Sequence, residues 1–328
     1  MIRFGVIGTN WITDRFLEAA GLVEDVKLTA VYSRSLDRAK AFATKHQAEY
    51  TFSDLQEFAS SDQFDAVYIA SPTSFHAEQA ILCMENGKHA FVEKPFASNQ
   101  REVEKMIEVS RKHQVLLMEG MKTTLLPNFN LLREQINEIG PVRRFVANFC
   151  QYSSRYDRYK EGEVANAFKP EFSNGALMDI GVYTVYPMVT LFGMPDQVSA
   201  NVIMLDSGVD GLGTMEIKYP ELTADLMFSK ITNSYIPSEI QGENGSIVID
   251  KWSDMQRLTK IDRDGNTTDI SVNQEKNTMY YEINHFVELI KSGQLESPIN
   301  SFEHSLNTIK VLDQARRSVG LVFPADKA

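Results

Sequence analysis

The stretch IRFGVIGTNWIT, residues 2–13, joins a short apolar run to a glycine turn and then to a helical pattern. Ile2–Ile7 predicts a strand buried on both faces, and the residues from Trp11 onward predict a helix. Gly8-Thr9-Asn10 forms the turn between them. In a doubly wound α/β fold this turn binds the phosphates of a dinucleotide, because main-chain N–H groups and the helix dipole face the anion.

The glycine pattern of such a phosphate turn is incomplete in this sequence. Only its first glycine, Gly8, is present, and Asn10 and Thr13 occupy the positions of the other two. Asparagine tolerates a positive φ better than most residues, so we expect Asn10 to replace the second glycine on that basis. Thr13 is small enough for close packing of helix on strand. An ordinary strand-to-helix turn remains the alternative.

Strands and helices alternate through the first 120 residues. Helices of 10–15 residues between short apolar strands indicate right-handed βαβ units, and therefore a doubly wound parallel sheet with helices on both faces. The further strands are predicted at Val26–Tyr32, Ala66–Ile69, His89–Val92 and Val115–Met118.

The pattern changes after residue 121. Several apolar runs are separated only by turns, such as Tyr219-Pro220-Glu221 and Asp264-Gly265-Asn266, which favours hairpins and an antiparallel or mixed sheet. Two helices follow, at about residues 283–290 and 303–319. We therefore expect an α/β protein with a dinucleotide-binding domain at residues 1–121 and an α+β domain at residues 122–328.

Composition excludes several classes of function. The net charge of −11 argues against a nucleic-acid-binding surface, and two distant cysteines without Cys or His spacing exclude a disulfide framework and a zinc cluster. The six histidines do not cluster, so no metal is expected. No stretch approaches about 18 apolar residues and no basic leader is seen, which predicts a cytoplasmic protein without a membrane span.

The end of the second strand bears on the choice of nicotinamide cofactor. An NAD enzyme usually carries an acidic residue there to bind the ribose 2′-hydroxyl, but this strand ends Tyr32-Ser33-Arg34. Arg34 and the Ser33 hydroxyl could bind a 2′-phosphate, which a carboxylate would repel. NADP is therefore preferred, although Asp37 leaves NAD possible and Arg34 could be a solvated loop residue.

Two further segments follow strands at the same edge of the predicted sheet. They are Ser71-Pro72-Thr73-Ser74-Phe75-His76 and Glu93-Lys94-Pro95, and ligands bind outside the carboxyl ends of strands in such sheets. Pro95 favours an extended backbone at Lys94, which fixes the place of the lysine. A lysine there can donate a proton or stabilise a developing alkoxide.

These segments together make the sequence recognisable. GVIGTNWI, SPTSFHAEQA, GKHAFVEKPFA, MEGM and GALMDIGVY resemble, in this order, the Gfo/Idh/MocA oxidoreductase family, and most closely its branch of dimeric dihydrodiol dehydrogenases and NADP-dependent xylose dehydrogenases. The resemblance implies a Rossmann domain, a C-terminal domain with an open sheet, and hydride transfer between NADP(H) and a carbonyl or secondary alcohol of a sugar, polyol or diol.

The resemblance also implies roles for particular residues. Lys94 corresponds to the lysine of the family's EKP motif, and Asp179 and Tyr183 to the ends of its DIGVY-type motif. Tyrosine has a reference pKa of about 10, so it needs a nearby ammonium group to act as a base near neutral pH. The hypothesis is that Tyr183 exchanges the proton, Lys94 polarises the substrate oxygen, and Asp179 orients them. The implied cofactor-binding residues are Gly8, Thr9, Asn10, Trp11, Ile12, Ser33, Arg34, Ser71, Pro72, Thr73, His76, Glu93 and Lys94.

Some features leave alternatives open. Leu125-Leu126-Pro127 stands where relatives carry an aromatic–His–Pro element, which puts the usual sugar contacts in doubt. His76 and Trp11 could line the site or only pack, and the polar aromatic segment 152–159 could bind a polyol or be a solvated loop. Other carbonyl substrates, or a non-enzymatic NADP-binding sensor, are the competing functions. The resemblance further implies that residues 122–328 bind the substrate and form a homodimer through the open C-terminal sheet, and dimers are the commonest closed assembly.

Overall fold

The computed structural model describes residues 1–327, which form two compact units. The first consists of Met1–Lys122 with Glu275–Ser305, and the second of Thr123–Gln274 with the residues from Leu306 onward. The contiguous division at residue 121 therefore needs a correction, because Glu275–Ser305 packs with the first unit instead of the second. Each unit is built around its own sheet.

The strands divide into a sheet of six and a sheet of eight. In chain order they are β1 (Ile2–Ile7), β2 (Val26–Tyr32), β3 (Tyr50–Phe52), β4 (Ala66–Ile69), β5 (His89–Glu93), β6 (Leu117–Gly120), β7 (Val142–Cys150), β8 (Gln197–Met204), β9 (Asp210–Lys218), β10 (Thr223–Ser229), β11 (Ser238–Gly242), β12 (Gly245–Asp250), β13 (Arg257–Asp262) and β14 (Thr267–Asp269).

Ten α-helices accompany these strands in the described residues. They are α1 (Trp11–Ala20), α2 (Leu36–His46), α3 (Leu55–Ser60), α4 (His76–Glu85), α5 (Gln100–His113), α6 (Pro127–Gln135), α7 (Tyr156–Lys160), α8 (Val182–Phe192), α9 (Met279–Lys291) and α10 (Phe302–Ser318).

The first sheet is parallel throughout, in the order β3-β2-β1-β4-β5-β6. This is the order of a Rossmann sheet, so the predicted doubly wound fold is confirmed. Its core contains a stack of aromatic rings in which Phe16 lies 3.7 Å from Tyr68 and Phe91 lies 4.9 Å from Phe286, centroid to centroid. Because Phe286 belongs to α9, this late helix supplies part of the core of the first unit.

The second sheet is mixed, in the order β14-β13-β12-β11-β7-β10-β9-β8. Only β7 and β10 pair in parallel, while every other neighbouring pair is antiparallel. The predicted open mixed sheet is confirmed, and the turns after Lys218, Gly242 and Asp262 join hairpins as expected. The buried helix α8 packs against β7 and β10.

One apolar segment of the second unit has the length of a membrane span. The segment Pro170–Phe192 is long and apolar enough to cross a membrane by length and composition alone, but 72% of its most apolar window is buried inside the structure. A buried core helix passes the same test, so this segment is weak evidence for a membrane span.

Candidate functional site

The turn after β1 is shaped by Gly8. This glycine has a φ of +106°, and a Cβ added to it would lie 2.7 Å from the main-chain oxygen of Ala70. A side chain is therefore excluded by both backbone conformation and space. The close approach joins the loops that follow β1 and β4, the two strands at which the order of the sheet reverses. Ligands bind at this point in doubly wound folds.

Asn10 has a different role from the one expected of it. Its φ is −116°, so it does not replace a glycine at a positive φ. Its side-chain oxygen instead accepts hydrogen bonds from the N–H groups of Ile12 (3.0 Å) and Thr13 (3.3 Å), and its amide donates to the oxygen of Ala70 (2.7 Å). Asn10 is thus the N-cap of α1 and a tie to the neighbouring loop. Thr13 is fully buried, as its predicted packing requires.

Arg34 follows β2 and is exposed. Its guanidinium carbon lies 5.5 Å from the ring centroid of Phe75, which belongs to the loop after β4. The Ser33 hydroxyl accepts a hydrogen bond from the N–H of Ser35 at 3.4 Å. The loop after β2 therefore carries a cation and a hydroxyl at the position where an NAD enzyme usually has a carboxylate.

His76 connects two loops of this edge. It is 1% exposed, and its Nδ1 lies 3.0 Å from the oxygen of Pro95 while its Nε2 lies 2.8 Å from the oxygen of Ser71. Burial lowers the pKa of this histidine, although the two carbonyl oxygens oppose the shift. Both ring nitrogens face main-chain oxygens, so His76 braces the loops and has no nitrogen left for a ligand. Trp11, by contrast, is 59% exposed.

Lys94 directly follows β5 and is half-buried. The preceding Glu93 is buried and accepts a 2.5 Å hydrogen bond from the hydroxyl of Tyr68. Burial raises the pKa of Glu93, and the charges of Lys94 and Lys122 oppose that rise. Lys94 therefore lies at the edge of the sheet where the strands end, directly after a buried acid.

Two more carboxyl groups lie near Glu93, and together the three are called here the carboxyl cluster: Glu93, Glu119 and Glu282. Burial raises the pKa of Glu119 to about 8 and that of Glu282 well above its usual range, the latter helped by the charge of Glu93. Lys94 and Lys122 act in the opposite direction on Glu282. Sequence reasoning missed Glu282, although its position four residues before Phe286 places it on the buried face of α9.

Asp179 and Tyr183 belong to the second unit. Asp179 lies in a π-helical turn, Leu177–Gly181, that continues into α8, where Tyr183 is in the first turn. Single π-helical turns are frequent at functional sites. The ring of Tyr183 packs edge-on against Phe149, and its main-chain oxygen accepts a 2.7 Å hydrogen bond from the indole of Trp252. The two residues therefore share one helical segment, as the sequence suggested.

The π-helical turn is held at its start by Asp210. The fully buried carboxylate of Asp210 accepts a hydrogen bond from the N–H of Leu177 at 2.6 Å. Gly175, with a φ of +136°, lies so close to Asp210 that any side chain would collide with the carboxylate. This explains the glycine that opens the GALMDIG segment.

A buried lysine that the sequence did not suggest contacts Asp179. The Nζ of Lys230 lies 2.9 Å from the Oδ2 of Asp179, and the lysine side chain is 2% exposed whereas that of Asp179 is 34% exposed. Lys230 follows an apolar strand, and only the folded chain shows that it points inward.

The second unit also contains a cavity of about 840 Å³. None of the predicted site residues lines it, although Phe149 and Trp252, which contact Tyr183, do. The polar segment 152–159 folds largely on itself, with Tyr152 donating to Asp157 at 2.7 Å and Tyr156 stacked on Tyr159. Among residues 1–327, no group of three or more His, Cys, Asp and Glu side chains could hold a metal ion.

Comparison with known proteins agrees with this architecture. Residues 2–121 match the model of the oxidoreductase family with an NAD-binding Rossmann fold, and residues 129–248 match the Gfo/Idh/MocA C-terminal domain. The chain belongs to the Gfo/Idh/MocA family. The resemblance stated from the motifs is thus confirmed, and so is the prediction of an NAD(P)-dependent oxidoreductase.

Several members of the family are similar along their whole length. The chain is 57% identical over 328 residues to scyllo-inositol 2-dehydrogenase (NADP(+)) IolU of Bacillus subtilis, with 100% of both chains covered. It is 27% identical to trans-1,2-dihydrobenzene-1,2-diol dehydrogenase of Mus musculus, with 99% of both covered. A solved 3-ketoreductase of Actinomadura kijaniata in complex with NADP and TDP-benzene has a TM-score of 0.85 at 25% identity, with 97% of both covered.

Proposed function

We propose that this protein is an NADP-dependent dehydrogenase of a cyclic polyol, which oxidises one ring CH–OH group to a ketone. The observation that carries the proposal is the 57% identity, over both complete chains, to a relative named as an NADP-dependent scyllo-inositol 2-dehydrogenase. The dihydrodiol dehydrogenases, whose named substrate also carries hydroxyl groups on a six-membered ring, support the same substrate class.

The choice of NADP rests on the loop after β2. Arg34 supplies a positive charge and Ser33 a hydroxyl, and the arginine is exposed and able to meet a 2′-phosphate. Further along the edge, we assign cofactor contacts to Gly8, Thr9, Asn10, Trp11, Ile12, Ser71, Pro72, Thr73 and Glu93. When bound, NADP supplies the hydride acceptor.

Catalysis is assigned to Lys94, Asp179 and Tyr183. In the oxidative direction, Tyr183 takes the proton of the substrate hydroxyl while the Lys94 ammonium stabilises the charge that develops on that oxygen. Asp179 orients the hydroxyl. A solved structure of the Actinomadura 3-ketoreductase is of a variant in which a tyrosine is replaced by phenylalanine, which draws attention to tyrosine in that enzyme.

The carboxyl cluster and Lys94 interact electrostatically. The charge of Lys94 opposes the rise that burial causes in the pKa of each of the three acids. Because this attraction is mutual, a carboxyl group of the cluster that loses its proton stabilises the ammonium that the proposed mechanism requires.

We also propose that the protein is a cytoplasmic homodimer that associates through the open sheet of the second unit. Cyclic dimers are the commonest closed assembly, and β8 exposes Ile203 and Met204, which are 54% and 43% accessible. Light scattering at micromolar concentration should give twice the mass of the chain. A single-chain mass would refute the dimer.

The function is tested by a screen of inositol isomers, dihydrodiols and aldoses for NADPH formation. We expect turnover of at least one inositol with NADP+ and weaker turnover with NAD+. Tight NADPH binding without turnover of any compound would contradict the proposal and favour the cofactor sensor.

A further inference from the structure

The buried lysine of the second unit has all its hydrogen-bonding capacity in use. The ammonium of Lys230 donates to the main-chain oxygen of Ala167 (2.8 Å), to the Oδ1 of Asn174 (3.2 Å) and to the Oδ2 of Asp179 (2.9 Å). An ammonium has three N–H groups and no acceptor, so these three partners occupy it completely. With a side chain that is 2% exposed, Lys230 has no means of binding a substrate itself.

Lys230 is surrounded by groups that interact favourably with a cation. Its Nζ lies 5.0 Å from the ring centroid of Phe168, and its charge opposes the rise that burial causes in the pKa of Asp210. Desolvating a lysine costs several kcal/mol, and a buried ion pair seldom stabilises a fold more than apolar side chains of the same volume would. A role other than stability therefore accounts best for this pair.

The pair is asymmetric in a way that indicates such a role. The cation is buried, while the side chain of Asp179 keeps about a third of its surface exposed. Asp179 is thus held by a buried charge and still reaches the surface of the unit. The turn that carries it is anchored separately through Asp210 and Leu177.

We propose that Lys230 is a positioning residue that fixes the Asp179 carboxylate, in its ionised form and in one orientation, to accept a hydrogen bond from a substrate hydroxyl. This inference rests on the proposed function, in which Asp179 orients the reacting hydroxyl. It adds a residue that contacts neither substrate nor cofactor and acts only through Asp179.

The test is a double-mutant cycle of Lys230→Met and Asp179→Asn in the full-length protein. Alone, Lys230→Met should lower kcat/KM for the polyol by about 10–100-fold, as is common for a group that orients a functional side chain. In the Asp179→Asn background the same substitution should cost less than about threefold, because its target is already gone. NADPH affinity, measured by fluorescence, should stay within about twofold in all variants.

Two further variants separate positioning from folding. Lys230→Arg keeps the positive charge and should recover part of the lost activity. Lys230→Gln keeps hydrogen-bond donors without the charge and disturbs the fold less than Met, and we expect it to recover none of the lost activity. Lys260→Met is the matched control, since it removes a lysine paired with Glu138 on the surface of the same unit. We expect it to leave turnover unchanged.

The outcomes distinguish this inference from the proposed function. If the wild-type protein oxidises no polyol or diol, the proposed function fails. If the wild-type protein does oxidise one of them, two results would refute the positioning role while the function stands. In the first, Lys230→Met and Lys230→Gln retain full activity. In the second, Lys230→Met lowers kcat/KM by the same factor with and without the Asp179 carboxylate.

Discussion

The first unit buries carboxyl groups, and the second unit buries a lysine. Glu93, Glu119 and Glu282 are buried together near lysines that are themselves less deeply placed, and burial raises the pKa of each acid. Lys230 is enclosed with Asp179 at 2.9 Å, so that its charge is matched by a neighbouring one. In the first unit the cost of burying a charge is therefore reduced because acids hold protons, and in the second unit it is offset by an ion pair.

This difference bears on the response of the protein to pH. A carboxyl group whose pKa lies near 8, such as that of Glu119, changes its charge in the neutral range. We expect pH effects on this protein to arise mainly in the carboxyl cluster, and orientation effects mainly around Lys230.

The largest effect should come from removing one proposed reacting group from each unit. Lys94→Met and Tyr183→Phe should each lower kcat by about 10²–10⁴-fold, the usual contribution of a positioned acid or base. Steady-state kinetics and NADPH titration of the same samples check this. Near-normal turnover in either variant would show that the residue concerned is not a reacting group.

Replacement of one buried acid should test whether the carboxyl cluster makes the stability of the protein depend on pH. The pKa of Glu119 is about 8 in the folded protein against 4.5 for an ordinary glutamate, so the folded state holds the proton more tightly. Stability should therefore fall as the pH rises from about 4.5 to about 8, by on the order of a few kcal/mol. Glu119→Gln should flatten this dependence in urea unfolding measured across that range. An unchanged slope would contradict the assignment.

The cofactor assignment predicts a smaller effect confined to the first unit. Arg34→Ala should weaken NADPH binding by about 10–100-fold, since it removes a charge-assisted contact to the 2′-phosphate, and should change NADH binding little. Fluorescence titration with both cofactors provides the measurement. Lys105→Ala, on the exposed face of α5, serves as the charge control. Equal loss for NADH and NADPH would argue against the phosphate contact.

The effect confined to the narrowest pH range should arise at Asp210, a buried acid of the second unit. Burial raises the pKa of Asp210 to about 6 from 3.8, so stability should decline only between about pH 4 and 6. Asp210→Asn keeps an oxygen for the N–H of Leu177 and should abolish that decline, which amounts to about 3 kcal/mol. A loss of stability at neutral pH would show instead that the carboxylate charge is needed beside Lys230.

Much of the fold followed from apolar periodicity, but short or polar elements did not. β3 has three residues and α3 has six, too few to show a period, and β13 and β14 carry exposed polar residues between turns. The helical spacing around Phe286 predicted α9 correctly. It could not tell on which unit the helix packs, because an apolar face does not specify its partner.

The candidate site shows the same limit. Gly8, Arg34 and Lys94 follow strand ends and could be identified from the sequence. Asn10 was also identified, but its predicted positive φ was wrong, because asparagine is favoured both at positive φ and as a helix N-cap. Glu282 and Lys230 were missed, since each gains its meaning from residues about 50 to 190 positions away. Such partners are brought together only by the folded chain.

Helix α9 has a consequence for the order in which the protein is made. The first unit lacks Phe286 until residues 275–305 have been synthesised, although its six strands are complete by Gly120. At about 5–20 residues per second, a ribosome needs roughly 10–30 s to add the stretch between them. During that time the rings of Phe4 and Phe91 lack the partner against which they finally pack. A nascent chain of this protein should therefore need protection by chaperones until translation is nearly finished, and a fragment ending near residue 122 should aggregate instead of folding.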